Sequence, residues 1–132
     1  MLKVCSSMVE IRTHGPMKFF DVTETLEKFV EKCNVSLGVL RLDVKGATPA
    51  LLLLDPSEAE ELLKVLRKLV PFSGWRHGNA YAHLLSTILT TSLTLAIENS
   101  RLILPERTRV LLLETRSVYN HRRTIFVVVV GR

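Results

Sequence analysis

The sequence of 132 residues contains no glutamine, only two cysteines and a single tryptophan. The absence of glutamine, a thermolabile residue, favours a thermophilic source. Cys5 and Cys33 match no zinc-binding or redox spacing, so we expect reduced thiols and a cytoplasmic protein. No apolar run reaches the length of a membrane span, and charged residues near the N-terminus argue against a signal peptide. The composition therefore predicts one domain over residues 1–132 with no membrane partner.

Acidic residues are scarce in the second half of the chain. Residues 1–66 carry 8 Lys+Arg and 10 Asp+Glu, whereas residues 67–132 carry 10 Lys+Arg and 3 Asp+Glu, a balance of +7. After Lys68 every cation is arginine, whose planar guanidinium pairs bidentately with phosphate or carboxylate. A solvated basic surface would explain this pattern, and an anion or phosphate site is the alternative.

Hydrophobic periodicity predicts an α+β fold with mixed or antiparallel β layers and three helices in one domain. Each helix is predicted to begin after an N-cap residue, and these residues are Asp21, Asp55 and Asn79. The strands are predicted over residues 2–13, 39–44, 50–54, 93–98, 101–104, 110–114 and 124–130. The apolar strand 50–54 is expected to be buried on both faces. The run 120–123 is interpreted as a charged turn.

One polar cluster lies around the start of the third predicted helix. With Asn79 as the N-cap, His83 falls in the first turn, next to free backbone N–H groups and the positive end of the helix dipole. Arg76 and His77 precede this turn, so the segment could bind an anion. The two histidines could also bind a metal or transfer protons near neutral pH. A capped helix carrying two ordinary histidines is the alternative.

Glu114 is the only acid between Glu106 and the C-terminus, and it ends a strongly apolar strand. A carboxylate in that position serves as a proton acceptor, a metal ligand or an ion-pair partner, and the sequence leaves all three roles open. With His77 and His83 it would supply two imidazoles and one carboxylate, a set that can hold a divalent metal such as zinc. The chain has no glycine-rich phosphate loop, nucleophile elbow, CxxC or HExxH motif.

The segment 79–84, with the sequence N-A-Y-A-H-L, resembles the N-A-x-A-H-L signature of the YjbQ-type proteins, a family of small α+β domains. The likeness extends in register over most of the chain. It includes residues 20–23 at a helix start, Gly38, residues 92–95, the hairpin 99–102, Glu114, and Trp75 with His77 in an aromatic-x-H element. Arg122 stands approximately where an arginine of a G-P-R motif follows the family's glutamate.

The resemblance carries expectations about function, because some members of this family have been assigned a secondary thiamine-phosphate synthase activity. It implies a transferase acting on phosphorylated small molecules, with His83, His77 and Glu114 as catalytic residues. It also implies a homo-trimer with a polar pocket near a subunit interface. The residues expected to bind the anion are Asn79, Arg76 and Arg122.

Some family motifs are missing from this sequence. The histidine of the family's H-T-T-A motif falls at Gly46, and the G-T-W-Q motif is replaced by P-E-R-T at residues 105–108. The I-N-E motif becomes L-L-D at residues 53–55. Glycine cannot replace imidazole as a ligand or as a proton carrier. We therefore expect a diverged member that keeps an anion or phosphate-ester pocket but has weak or lost catalysis.

Two other functions remain open at this point. An active family enzyme would join or hydrolyse phosphorylated small molecules, with or without a divalent metal. A nucleic-acid-binding module would use the arginines of the second half. Against this last function, only 6% of the residues are aromatic, so surfaces on which bases could stack are scarce, and no RNA-binding signature is present.

Overall fold

The computed structural model describes residues 1–132, which form eight β-strands, three α-helices and one 3₁₀ turn. The strands are β1 (Lys3–Thr13), β2 (Lys18–Asp21), β3 (Leu37–Val44), β4 (Ala50–Leu54), β5 (Ser92–Glu98), β6 (Arg101–Leu102), β7 (Arg109–Glu114) and β8 (His121–Gly131). The helices are α1 (Thr23–Cys33), α2 (Ala59–Leu69) and α3 (Ala80–Leu89), and the 3₁₀ turn is Pro56–Glu58. The predicted α+β class is confirmed. None of the helices is long and apolar enough to cross a bilayer.

The strands form two antiparallel sheets. The outer sheet has the order β1-β8-β3-β5-β6, and the inner sheet has the order β2-β7-β4. One apolar core lies between the two sheets and α1, and it contains Leu26, Leu112 and Val127. A second core lies on the other face of the inner sheet, where Leu66 of α2 and Leu85 of α3 are buried. The inner sheet is therefore apolar on both faces.

This layering explains the burial on both faces that the sequence predicts for residues 50–54. Ala50, Leu51 and Leu52 are buried, with Leu51 in the first core and its two neighbours in the second. Leu53 is exposed near the end of the strand. The double-sided burial is thus confirmed for the first three residues of β4.

The helix starts use the predicted residues in different ways. Asp55 caps as predicted, because its Oδ1 accepts a hydrogen bond of 3.0 Å from the N–H of Ser57. Asp21 accepts a hydrogen bond of 2.9 Å from the N–H of Thr23, although the N-cap position itself is Val22. Asn79 occupies the N-cap position of α3, but its side chain makes no capping hydrogen bond.

Two segments differ from their predicted structure. Phe20, placed by the sequence analysis at the approach to a helix, belongs to β2, where it pairs with Leu112 of β7. A four-residue strand has too few residues for a clear alternation, which explains why the pattern missed it. Residues 121–123, predicted as a turn, are the first residues of β8 and pair with β1. The turn ends at Asn120, which has a positive φ of 46°.

The expectation of reduced cysteines is wrong for this structure. Cys5 and Cys33 form a disulfide, with their Cα atoms 5.9 Å apart. Cys5 lies on β1 and Cys33 is the last residue of α1, so the bond links an edge strand of the outer sheet to the helix. Because 28 positions separate the two residues, no local spacing indicates the contact.

Removal of the disulfide is expected to lower thermal stability. Closing a loop of this length reduces the entropy of the unfolded chain, which stabilises the fold by roughly 3–4 kcal/mol. The double variant Cys5→Ser/Cys33→Ser should therefore melt about 10 °C below the oxidised wild type in calorimetry. A reducing agent should lower the melting temperature of the wild type and leave that of the double variant unchanged. An equal melting temperature for oxidised and reduced wild type would contradict the disulfide.

Candidate functional site

A pocket of about 350 Å³ runs along one side of α3, and we call it the α3 pocket. Its lining residues are Gly46, Ala47, His83, Ser86, Thr87, Thr90 and Thr91. The residues from α3 recur at helical spacing, so they share one side of the helix. Gly46 and Ala47 belong to the loop between β3 and β4. The pocket is thus formed by a helix flank and a loop.

The packing of α3 fixes which side faces this loop. Tyr81, Ala82 and Leu85 are buried in the core beneath α3, so the adjacent side, which carries His83, remains open. Ser86 ties the helix to the loop, because its hydroxyl donates a hydrogen bond of 2.7 Å to the carbonyl of Pro49.

The chain leaves α3 through a strained residue. Thr90 has φ of 78° and ψ of 157°, a conformation that is costly for a residue with a side chain and rarer still for a β-branched one. Backbone hydrogen bonds hold it there: its N–H donates to Ser86, and its carbonyl accepts from the N–H of Leu51 on β4. The carbonyl of Thr91 accepts in turn from Val44 on β3. The part of the pocket wall formed by Thr90 and Thr91 is therefore anchored to both sheets.

A buried ion pair lies between the two sheets, close to the same loop. Glu114 at the end of β7 is 0% exposed, and Arg123 of β8 is 6% exposed. The Arg123 guanidinium donates through Nε at 2.8 Å and Nη2 at 2.7 Å to the two carboxylate oxygens. Thr13 of β1 donates to the same carboxylate at 2.7 Å. Thr48, in the loop after Ala47, accepts from Nη2 at 3.0 Å.

The surroundings of Glu114 favour its charged form. Burial raises the pKa of the Glu114 carboxyl, but the hydrogen bonds from Arg123 and Thr13 and the charge of Arg123 outweigh burial, so its pKa lies below the ordinary glutamate value. The backbone N–H of Arg116 also donates to it, at 3.3 Å. Glu114 is thus held as an ionised ion-pair partner, one of the three roles that its sequence position allows.

The structure brings only one of the predicted site residues into the α3 pocket. His83 lines it, whereas Arg76, His77 and Asn79 lie on the exposed segment that leads into α3. The backbone donors at this helix start are largely used, because Ala80 donates to His77 and residue 82 donates to Asn79. The helix start therefore offers an anion fewer free N–H groups than the sequence suggests.

Arg122 and the three proposed metal ligands are also separated. Arg122 is exposed, and its Nη1 lies 3.5 Å from a carboxylate oxygen of Glu10. No group of three His, Cys, Asp or Glu side chains lies close enough to hold a metal ion. Both oxygens of Glu114 already accept hydrogen bonds, so His77, His83 and Glu114 do not fit a metal within one chain.

Comparison with known proteins assigns the chain to a family. A family model described as "UPF0047 protein YjbQ-like" matches residues 7–132. The chain belongs to the UPF0047 (YjbQ-like) family. A UPF0047 protein of Archaeoglobus fulgidus is 30% identical over 111 residues, which cover 79% of this chain and 86% of the relative. The resemblance based on the N-A-x-A-H-L signature is thus confirmed.

Solved structures of other proteins share this fold. A YbjQ-like protein of unknown function from Sulfolobus solfataricus matches with a TM-score of 0.93 and 23% identity over 100% of both chains. An uncharacterised YjbQ/UPF0047 protein from Clostridium acetobutylicum has a TM-score of 0.84 and 25% identity, covering 92% of this chain and 97% of its own. A hypothetical protein from Aeropyrum pernix has a TM-score of 0.86 and 25% identity, covering 96% and 98% respectively.

Positions from two motifs of the family resemblance line the α3 pocket. The signature contributes His83, and Gly46, where the family resemblance places a histidine, lines the same pocket. Residues more than thirty positions apart in the sequence thus share one site. The family's late-strand glutamate, Glu114, does not line this pocket, but it is connected to the pocket loop through Arg123 and Thr48.

Arg123, Thr13 and Thr48 belong to the site but are not among the residues predicted from the sequence. A signal for Arg123 exists in β8, where residues 125, 127 and 129 are buried and alternate with more exposed residues. Arg123 is also an odd-numbered position of this strand, so the alternation places its side chain inward and that of Arg122 outward. A buried arginine requires an acidic partner, and Glu114 is the only acid in that part of the chain. Nothing local indicates the roles of Thr13 and Thr48, because their contacts depend on the sheet order.

The Glu114–Arg123 pair predicts a specific pH dependence of stability. A carboxyl whose pKa is lowered on folding stabilises the protein above its unfolded pKa, about 4.3, and this contribution is lost as the pH falls through the folded value. Glu114→Gln leaves the Arg123 charge buried without its partner and should cost about 3–5 kcal/mol at pH 7. The cost should shrink below pH 4, where the wild-type Glu114 carboxylate also begins to lose its charge. Urea unfolding of the wild type and the variant, at pH 7 and below pH 4, measures the difference in the free energy of unfolding.

The exposed pair Glu10–Arg122 provides the matched control for this experiment. Glu10→Gln should change the free energy of unfolding by no more than about 0.5 kcal/mol. Equal costs for Glu114→Gln and Glu10→Gln at pH 7 would show that the pair at Glu114 is not buried as described.

Proposed function

We propose that this UPF0047 protein binds phosphate or a phosphate ester in the α3 pocket and that its catalysis is weak or lost. The observation that carries the proposal is the composition of the pocket wall, which combines an imidazole with four hydroxyl-bearing residues and includes no carboxylate. An anion needs hydrogen-bond donors and no nearby negative charge. The volume of about 350 Å³ is at the lower end of the range for small-molecule sites.

The hydrogen bonds within the wall indicate which groups remain for a ligand. The hydroxyls of Ser86 and Thr87 donate to the carbonyls of Pro49 and His83, at 2.7 and 3.0 Å. The Thr90 hydroxyl accepts from the N–H of Ser92 at 3.4 Å, so its own hydrogen remains available. The exposed ring of His83 adds a donor that becomes cationic when protonated. These groups support binding of an oxyanion.

The conformation of Gly46 supports weak or lost catalysis. Its φ of 124° is one that residues with a side chain rarely adopt. A Cβ atom there would also lie 3.1 Å from Nη1 of Arg123 and 3.2 Å from Cδ of Pro49. The loop is therefore adapted to glycine, and a histidine would require a different backbone. Glu114, engaged on both oxygens, is a poor candidate for a free catalytic base.

Two histidine variants test the binding site. His83→Ala removes a lining residue of the pocket and should weaken binding of inorganic phosphate about tenfold, the value of one hydrogen bond to a charged group. His77→Ala is the matched control, because His77 is exposed but lies outside the pocket, and it should bind as the wild type does. Titration calorimetry gives both affinities, and thermal stabilisation by phosphate gives an independent measure.

Two outcomes would contradict the proposal. Absence of saturable phosphate binding, or unchanged binding by His83→Ala, would exclude this pocket as the anion site. Family-level turnover in joining a thiazole phosphate to a pyrimidine pyrophosphate would contradict weak or lost catalysis and favour the active enzyme. For the nucleic-acid function, Arg109, Arg122 and Arg123 are less available than the sequence suggests, because each is paired with an acidic side chain.

We also propose the homo-trimer that the family resemblance implies. Val4, Met8, Val39 and Phe126 are exposed apolar side chains on the outward face of the outer sheet. Exposed apolar side chains grouped on one sheet face are typical of a surface covered by a partner. Light scattering coupled to size exclusion should give three times the chain mass of 14.9 kDa. A monomeric mass would contradict the trimer, and Phe126→Glu should shift the assembly toward monomer.

A further inference from the structure

Arg123 is the only buried basic side chain of the chain. Burying an ion pair gives little stability compared with apolar residues of the same size, so stability alone is a weak reason for its presence. The Arg123 side chain is strongly restricted, because its Nε and Nη2 donate hydrogen bonds to Glu114 and its Nη2 also donates to Thr48. A guanidinium held this firmly has a fixed direction for its remaining nitrogen.

That remaining nitrogen is Nη1, which makes no hydrogen bond within the chain. No buried side-chain nitrogen or oxygen atom of the structure lacks a hydrogen-bond partner, so Nη1 must reach solvent. It lies beside Gly46, 3.1 Å from the position that a Cβ atom would take. Gly46 therefore borders both the guanidinium and the α3 pocket, and it has no side chain to fill the space next to Nη1.

We propose that Nη1 of Arg123 is a donor to the anion in the α3 pocket, and that Glu114 and Thr48 are positioning residues that aim it. This inference rests on the proposed function and assigns the charged contact within it. Because Glu114 balances the charge of Arg123, recognition relies on a directional hydrogen bond rather than on surplus positive charge. The favoured ligand is an oxyanion, such as a phosphate or a phosphate ester, in preference to a halide of the same charge.

Nuclear magnetic resonance of the wild-type arginine side chains tests this contact without a mutation. Inorganic phosphate is titrated at a constant high chloride concentration, and the side-chain nitrogen resonances of Arg123 and Arg122 are followed with the backbone amides of α3. The Arg123 resonances should shift with the same dissociation constant as the amides from His83 to Thr91. Arg122, its exposed neighbour, should show no saturable shift.

The outcomes separate this inference from the proposed function. Saturable shifts in the pocket amides with an unmoved Arg123 would leave phosphate binding intact and overturn the role of Arg123. Absence of shifts in Arg123 and in the pocket amides, at low and at high chloride, would overturn both proposals. Shifts that appear at low salt but vanish in excess chloride would overturn only the directional contact, since bulk charge attraction is what salt screens.

Conservative substitutions test the positioning role. Thr48→Ser keeps a hydroxyl that accepts from Nη2, and it should bind phosphate as the wild type does. Thr48→Val removes that acceptor while keeping the shape of the side chain, and it should weaken binding about three- to tenfold. The Arg123 resonances should move in Thr48→Val but not in Thr48→Ser, even without phosphate. Equal affinity for the two variants would overturn the positioning role of Thr48.

Discussion

The interaction on which the site depends is the buried ion pair between Glu114 and Arg123. Glu114 ends a strand of the inner sheet and Arg123 lies on a strand of the outer sheet, so the pair connects the two layers. Thr13 on β1 donates to the carboxylate, and Thr48 in the β3–β4 loop accepts from the guanidinium. The pair is thus the point where both sheets and the pocket loop meet. Its partners leave no polar atom of the pair buried without a hydrogen bond.

The α3 pocket lies where regular structure gives way to strained backbone. Thr90 and Gly46 both have positive φ values, and both line the pocket. The carbonyls of Thr90 and Thr91 accept hydrogen bonds from β4 and β3, which holds one wall, and the Ser86–Pro49 bond holds the loop against the helix. Glycine adopts a positive φ without strain, whereas Thr90 is strained. Strain at a residue like Thr90 persists only where the surrounding structure determines it, which is common at binding sites. The scaffold therefore presents His83 on a rigid helix opposite a loop adapted to glycine.

The parts of this structure that could be predicted are those set by local periodicity. The helix starts at Asp55 and Asn79 and the buried strand at residues 50–54 follow from spacing and capping chemistry. The N-A-x-A-H-L segment correctly indicated the family and placed His83 in the first turn of α3. These features depend on neighbours within a few residues.

The remaining features depend on contacts between distant segments. The disulfide joins residues 28 positions apart, and β2 is too short to show an alternation before it pairs with β7. The charged run 120–123 resembles a turn until its pairing with β1 is known, and only then does the inward direction of Arg123 become visible. For the same reason, the sequence left open whether Glu114 is a base, a ligand or an ion-pair partner. The sheet order decides it, because it brings Arg123 and Thr13 to the carboxylate.

A crystal structure of the protein grown with inorganic phosphate tests the central claim most directly. We expect the anion in the α3 pocket, in contact with the ring of His83 and Nη1 of Arg123, while both carboxylate oxygens of Glu114 remain bonded to Arg123. Phosphate bound instead at the start of α3, against Arg76 and the backbone at Asn79, would contradict it. So would a Glu114 side chain that has turned away from Arg123 to contact a ligand or a metal.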